Sequence, residues 1–268
     1  MAPEQGRRGK SRARRDGPAV TRPRSARLTA AQARSATRAL ANPERASSLR
    51  RFFRTGPGEY GEGDRFLGLT VPAVRGLARR FESLSLADVR KLLHSPWHEE
   101  RLLALLVLVR RYNRGGPAER YAIFSLYLEE TRWVNNWDLV DTSAAHIVGR
   151  HLREGERRLL YRLVRSPSLW ERRIAIIATF DAIRRDDFAD TLALAERLLG
   201  DREDLMHKAT GWMLREVGKR DIEALRIFLR RHAHAMPRTM LRYAIERFPE
   251  PERQRWLRAG SRRDRSAS

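Results

Sequence analysis

Between residues 28 and 258 the apolar side chains recur with helical periodicity in nearly every segment, and the alternating β-branched runs that announce strands are missing. This spacing predicts helices over residues 28–41, 44–54, 72–82, 85–94, 97–112, 117–129, 136–151, 154–164, 169–185, 187–199, 204–219, 221–233 and 237–247. The breaks between them have chemical causes. Pro43, Pro72, Pro96, Pro117, Pro167 and Pro237 fall where helices begin, since a first turn has no use for the N–H that proline lacks. Gly115, Gly200 and Gly218 fall at or near helix ends. The fold class is all-α.

An internal repeat says how these helices are arranged. LHSPWHEERLLALL (residues 93–106) recurs as VRSPSLWERRIAII (residues 164–177), 71 residues later, with the Ser-Pro turn, the Glu-Arg pair and the apolar stripe in register. LLGDREDLMHKATGWM (residues 198–213) follows LVRSPSLWERRIAIIA (residues 163–178) at an offset of 35. A period of about 35 residues with two helices per unit predicts a right-handed-type helical solenoid of two-helix, HEAT-like repeats whose concave basic groove is a binding surface. The helices beginning near 136, 169 and 204 then belong to successive units.

Charge changes the picture next. The chain carries 55 Lys and Arg against 33 Asp and Glu, a formal charge of +22, which points to a polyanionic partner. Residues 1–27 hold nine of those cations against Glu4 and Asp16, with almost nothing apolar between them. They are expected to form a disordered basic arm, and residues 259–268 a similar tail, around a single domain at 28–258. With no cysteine, disulfides, thiolate metal sites and cysteine nucleophiles are excluded. The longest apolar run, residues 102–109, is far short of the ~20 residues that span a bilayer, and the basic N-terminus lacks the apolar stretch of a secretory signal. A soluble cytoplasmic protein is expected, associated with the nucleoid through DNA.

Candidate chemistry concentrates in WVNNWDLVD (residues 133–141), where two indoles and two carboxylates sit in a segment that should start a helix. Asn135 or Asn136 can cap it. Trp137 and Asp141, four apart, share one helix face, so an apolar ring and an acidic oxygen address the same target, which suits a cationic or cation-developing ligand. Further on, Arg172 and Arg173 open a helix from which only one can face the groove, and Lys208 and Trp212 repeat the aromatic-plus-charge pattern. Each has a plainer reading. The tryptophans fit a core, Asp141 fits a salt bridge, Asp138 fits a first-turn interaction with the helix dipole, and Arg173 fits an ion pair with an acid on an adjacent repeat.

Taken in order, WVNNWDLVD, WERRIAI, GWMLREVGKRD and PRTMLRYAIERF (residues 237–248), together with LGLTVPAVRGLARRF (residues 67–81) and HEERLLALLVLVRRY (residues 98–112), are similar to the AlkD-type DNA alkylation repair glycosylases. The resemblance covers most of residues 60–250. It implies hydrolysis of the N-glycosidic bond of positively charged N3- and N7-alkylated purines in duplex DNA, without a cofactor or metal, by a monomer that need not extrude the base fully. It also implies a catalytic set of Trp137, Asp141, Arg173 and Trp212, and DNA contacts from Trp133, Arg172, Lys208, Arg238 and Arg242. In that set Asp141 opposes oxocarbenium character at the sugar and orients water, the indoles pack on deoxyribose, and Arg173 holds a phosphate. Two other readings of such a solenoid are a DNA-damage or DNA-structure binding protein without catalysis, and a protein-binding scaffold.

Other motifs are discounted. Gly56, Gly58 and Gly61 form a literal G-x-G-x-x-G, but after a helix rather than a strand and interrupted by Pro57, so a loop able to touch DNA is expected instead of a dinucleotide site. His94 and His98 have helical spacing, but Pro96 breaks the helix between them. No nucleophile elbow of the G-x-S-x-G type occurs.

Overall fold

The computed structural model describes residues 27–153 and 155–260. The expected basic arm, apart from Arg27, and residues 261–268 of the expected tail lie outside the described residues. Among those described the regular structure is helical, in the order α1 (Ala30–Arg38), α2 (Pro43–Phe52), α3 (Val71–Arg80), α4 (Leu86–Leu93), α5 (His98–Arg114), α6 (Pro117–Glu129), α7 (Trp137–Ala144), α8 (Arg158–Leu163), α9 (Leu169–Ala178), α10 (Phe180–Ile183), α11 (Ala189–Arg197), α12 (Asp204–Arg220), α13 (Ile222–His232), α14 (Arg238–Ala244) and α15 (Glu250–Gly260). A single parallel bridge joins Arg65 to Trp97. No described helix is long and apolar enough to cross a membrane.

Side-chain caps set many of the starts. Thr29, Asn42, Thr70, Ser85, Ser168 and Asp221 each accept a hydrogen bond from a first-turn amide of the helix that follows. Where the outline differs from expectation, a local cause is visible. The predicted helix 169–185 is interrupted at Thr179, whose hydroxyl donates back to the Ile176 carbonyl at 2.7 Å and separates α9 from α10. The predicted helix 136–151 widens after α7 into a π-helical turn, Ala145–Gly149. There a Cβ on Gly149 would stand 2.1 Å from the Ala178 carbonyl oxygen, so only glycine lets this turn pass the end of α9 so closely. Helix α15 was not expected at all. Its sequence is charged and opens around two prolines, and it is held by Trp256 and Leu257 packing on the C-terminal core.

The repeat expectation is met by the packing order. Helices α5, α7, α9, α12 and α14 contact one another in series, while α3, α4 and α6 pack on α5, α8 on α9, α11 on α9 and α12, and α13 on α12. One apolar core runs from Ala30 to Val217, with a second cluster beneath α12 to α15. Its residues include Leu103, Leu105, Ile174 and Ile176, none with any exposure; each such side chain contributes roughly 1.5–3 kcal/mol. Gly211 in α12 allows the last crossing, because a Cβ there would lie 2.5 Å from the Met240 carbonyl oxygen of α14.

The chain between α2 and α3 is pinned to this frame by buried charge. Glu99, in the first turn of α5, accepts from the amides of Leu67, Gly68 and Leu69 at 2.9, 2.7 and 3.2 Å. Gly68 has φ of +88°, and a Cβ there would strike the Asn42 carbonyl. The loop before it is thereby carried across to the start of α7.

Candidate active site

Asn136 is the N-cap of α7, its side-chain oxygen accepting from the Trp137 amide at 2.8 Å while its nitrogen donates to Asp64 at 3.0 Å. Asp64 and Asp138 in turn bracket His98, at 3.2 Å from Nδ1 and 2.8 Å from Nε2. Burial alone would lower the His98 pKa, but the two carboxylates outweigh it and raise it to about 9. The first turn of α7 is therefore bolted to α5 by a charged, buried network. Arg101 completes it with a 2.5 Å bond to Asp64.

One helical turn on, Trp137 and Asp141 face a cleft of about 740 Å³. The rear of the Trp137 ring is covered by Phe53, stacked at 5.3 Å and 17°, and the exposed Phe52 meets its edge at 5.9 Å. Helix α9 brings Arg173 to Asp141 as a two-pronged ion pair, Nε to Oδ1 at 2.9 Å and Nη2 to Oδ2 at 2.8 Å. Arg173 Nη1 is bonded to the Leu205 carbonyl at 2.5 Å. Burial pushes the Asp141 carboxyl above its ordinary range, with the Arg173 guanidinium opposing it. Helix α12 supplies Lys208 and Trp212, the indole N–H of the latter donating to Glu216 at 3.0 Å.

Trp137, Asp141, Arg173, Trp212 and Lys208 thus line one cleft. The Arg172 or Arg173 ambiguity resolves geometrically: Arg172 turns away to Asp201 at 2.7 Å and to the carbonyls of Ser166 and Pro167. The ion pair between adjacent repeats that the plainer reading gave Arg173 is present, and its acid is Asp141 itself. The guanidinium fork expected on a phosphate is spent on that carboxylate. Trp133, Arg238 and Arg242 are not among the lining residues. Trp133 stacks on His94 at 5.0 Å, Arg238 donates to the Leu257 carbonyl, and Arg242 is exposed on α14.

Other lining residues escaped sequence reasoning. Phe52 comes from the last turn of α2, Arg54 and Tyr60 from the loop after it, and Tyr243 from α14. The glycine-rich loop, Gly58 included, does reach the cleft, where Tyr60 packs edge-on against Trp170 of α9 at 6.3 Å. The only signal in the sequence was that loop's composition. The charge of the cleft lining is balanced. Four cations (Arg54, Arg173, Lys208, Arg215) face four carboxylates (Glu59, Asp141, Glu203, Asp204), so the positive excess of the chain lies outside the cleft.

Comparison with known proteins places this arrangement. The sequence matches no curated protein. A solved structure, described as a predicted DNA alkylation repair enzyme from Enterococcus faecalis, superposes with a TM-score of 0.60 over 78% of this chain and 97% of its own, at 15% identity, which is a likeness of fold. A family model, that of the DNA alkylation repair enzymes, matches residues 33–248 and so takes in every helix that lines the cleft. The chain belongs to the DNA alkylation repair enzyme family, whose role is the repair of alkylated DNA.

Proposed function

We propose that the protein is a monofunctional DNA glycosylase for cationic N3- and N7-alkylated purines in duplex DNA. The observation that carries this reading is the Asp141 carboxylate, which lines a charge-balanced cleft together with two indoles and is ion-paired to Arg173. An alkylated purine already bears positive charge and leaves without a strong acid. The barrier lies at the sugar, which becomes oxocarbenium-like as the C–N bond breaks. A carboxylate in a partly dry cleft opposes that charge strongly and can align the attacking water. The faces of Trp137 and Trp212 add attraction for cationic character and apolar area for deoxyribose. Arg173 is then the residue that orients and charges Asp141, and phosphate contacts fall to Arg54, Lys208 and more distant arginines. The chemistry proposed needs no metal or cofactor, and a monomer suffices for it.

Single-turnover release of N7-methylguanine and N3-methyladenine from methylated duplex DNA tests this. Wild type is expected to release both, and Asp141→Asn to do so at least about a hundredfold more slowly with DNA binding retained, the scale of losing one preorganised electrostatic partner. Absence of release by wild type would sink the reading. One observation favours a second reading, DNA recognition without chemistry: Asp141 is already neutralised by a bidentate partner. Tight binding to alkylated DNA with no base released by either protein would select it.

A further inference from the structure

A second charged cavity lies at the other end of α7, where the end of α5, the start of α6 and the residues after the π turn meet. Its volume is about 290 Å³, and Tyr112, Pro117, Arg120, Arg150, His151 and Arg153 line it. This cavity and the cleft have no lining residue in common, so the two are separate.

What sets it apart is the company its arginines keep. Among the described residues, every other arginine withdrawn from solvent, from Arg34 to Arg253, reaches a carboxylate within 4.0 Å. Arg120 and Arg150 are equally withdrawn, and neither does. Arg120 donates to the Tyr112 carbonyl at 3.1 Å and lies over the Tyr112 ring; Arg150 donates to the amide oxygen of Asn113 at 2.6 Å. Arg153, beside them, is bidentate on Asp181. Burial raises the Tyr112 hydroxyl pKa, Arg120, Arg150 and Arg153 pull it down, and Asp181, the partner of Arg153, raises it again; the three arginines and Tyr112 line the same cavity. His151, stacked on Phe124 at 3.9 Å and held below its ordinary pKa by burial, adds an uncharged polar ring. Pro117, the first residue of α6, also lines the cavity, and Gly116 before it gives that helix end no side-chain cap.

Half-buried like charges are costly when no carboxylate pairs with them, and among the described residues Arg120 and Arg150 are the withdrawn arginines that lack one within 4.0 Å, the nearby Asp181 being held by Arg153. We infer that the Arg120–Arg150 cavity is a binding site for a phosphodiester group of DNA, separate from the cleft. Two guanidinium forks match the shape and charge of a phosphate oxyanion. The inference rests on the family's role at DNA, not on base release, and so survives or falls independently of the glycosylase reading.

The test is duplex binding by the full chain over a salt series, comparing wild type, Arg120→Gln/Arg150→Gln and a charge-matched control at exposed positions, Arg162→Gln/Arg165→Gln. Inorganic phosphate serves as the small-anion probe in a parallel thermal shift. The site predicts that the first variant flattens the slope of log affinity against log salt by about 1, one phosphate contact, while the control flattens it less. Melting of that variant at or above the wild-type temperature without phosphate is also expected, since two uncompensated charges are gone. An unchanged salt slope overturns the proposal. So does phosphate stabilising wild type but not the variant with the slope unchanged, which would assign the cavity to a free anion. If neither double variant folds, Arg120→Lys, which keeps the charge and loses the fork, must weaken duplex binding, and full binding by it likewise overturns the proposal.

Discussion

Asp141 is held between two opposed forces, and its behaviour with pH follows from their balance. Burial favours the neutral acid and Arg173 favours the anion, with burial the larger, so the folded pKa lies above the ordinary value of 3.8. If the anion does the chemistry, base release falls away on the acid side at a higher pH than an ordinary aspartate would give. Arg173→Gln removes the opposing charge and moves that acid limb to still higher pH. At neutral pH it slows release by about tenfold or more, since a charge-assisted hydrogen bond is worth roughly 1.5–3 kcal/mol. A pH–rate profile of single-turnover release, corrected for spontaneous depurination, reads both effects. An acid limb that stays in place would remove Asp141 as the titrating group. The sequence made the pairing of Trp137 with Asp141 legible, because helical spacing puts positions four apart on one face. It left Arg172 and Arg173 undecided, since only the packing of α9 against α7 and α12 determines which guanidinium turns inward.

At the scale of elements, the start of α7 owes its place to residues that sequence reading passed over. His98 was weighed against a metal site and set aside, yet it joins Asp64 from the loop, its own helix α5, and Asp138 from α7. Those partners come from 34 and 40 residues away, a distance that no local periodicity encodes. Aromatic rings extend the same link, from His98 through Phe66 and Phe53 to the back of Trp137. The helices themselves were legible for the opposite reason, that caps, prolines and apolar stripes act within a few residues. Since the folded pKa of His98 is about 9 against 6.5 for the free side chain, its contribution to stability is complete below about pH 6.5 and is lost as pH rises through 9. The full linkage amounts to about 3 kcal/mol. Thermal melting is therefore expected to fall between neutral pH and pH 10, and His98→Gln to melt lower at pH 6 with a flatter decline. Equal pH slopes in the two proteins would show that the imidazole stays neutral.

On the scale of the whole molecule, charge is divided between places that do different work. The cleft is balanced, with four cations against four carboxylates, while the chain carries +22. A balanced cleft leaves its carboxylates to oppose the cation that must develop there, whereas the surrounding excess draws the duplex in from solution. Nine of the cations fall in residues 1–27. If their part is attraction alone, a protein lacking residues 1–27 binds every duplex more weakly, damaged or not, and its affinity depends less steeply on salt. Its single-turnover rate at saturating protein stays that of the full chain, because no residue of the cleft has been touched. Filter binding across a salt series, run beside base release at saturation, separates the two quantities. Loss of the chemical rate itself would mean that the arm takes part in assembling the site, and the division between an attracting surface and a balanced cleft would have to be abandoned.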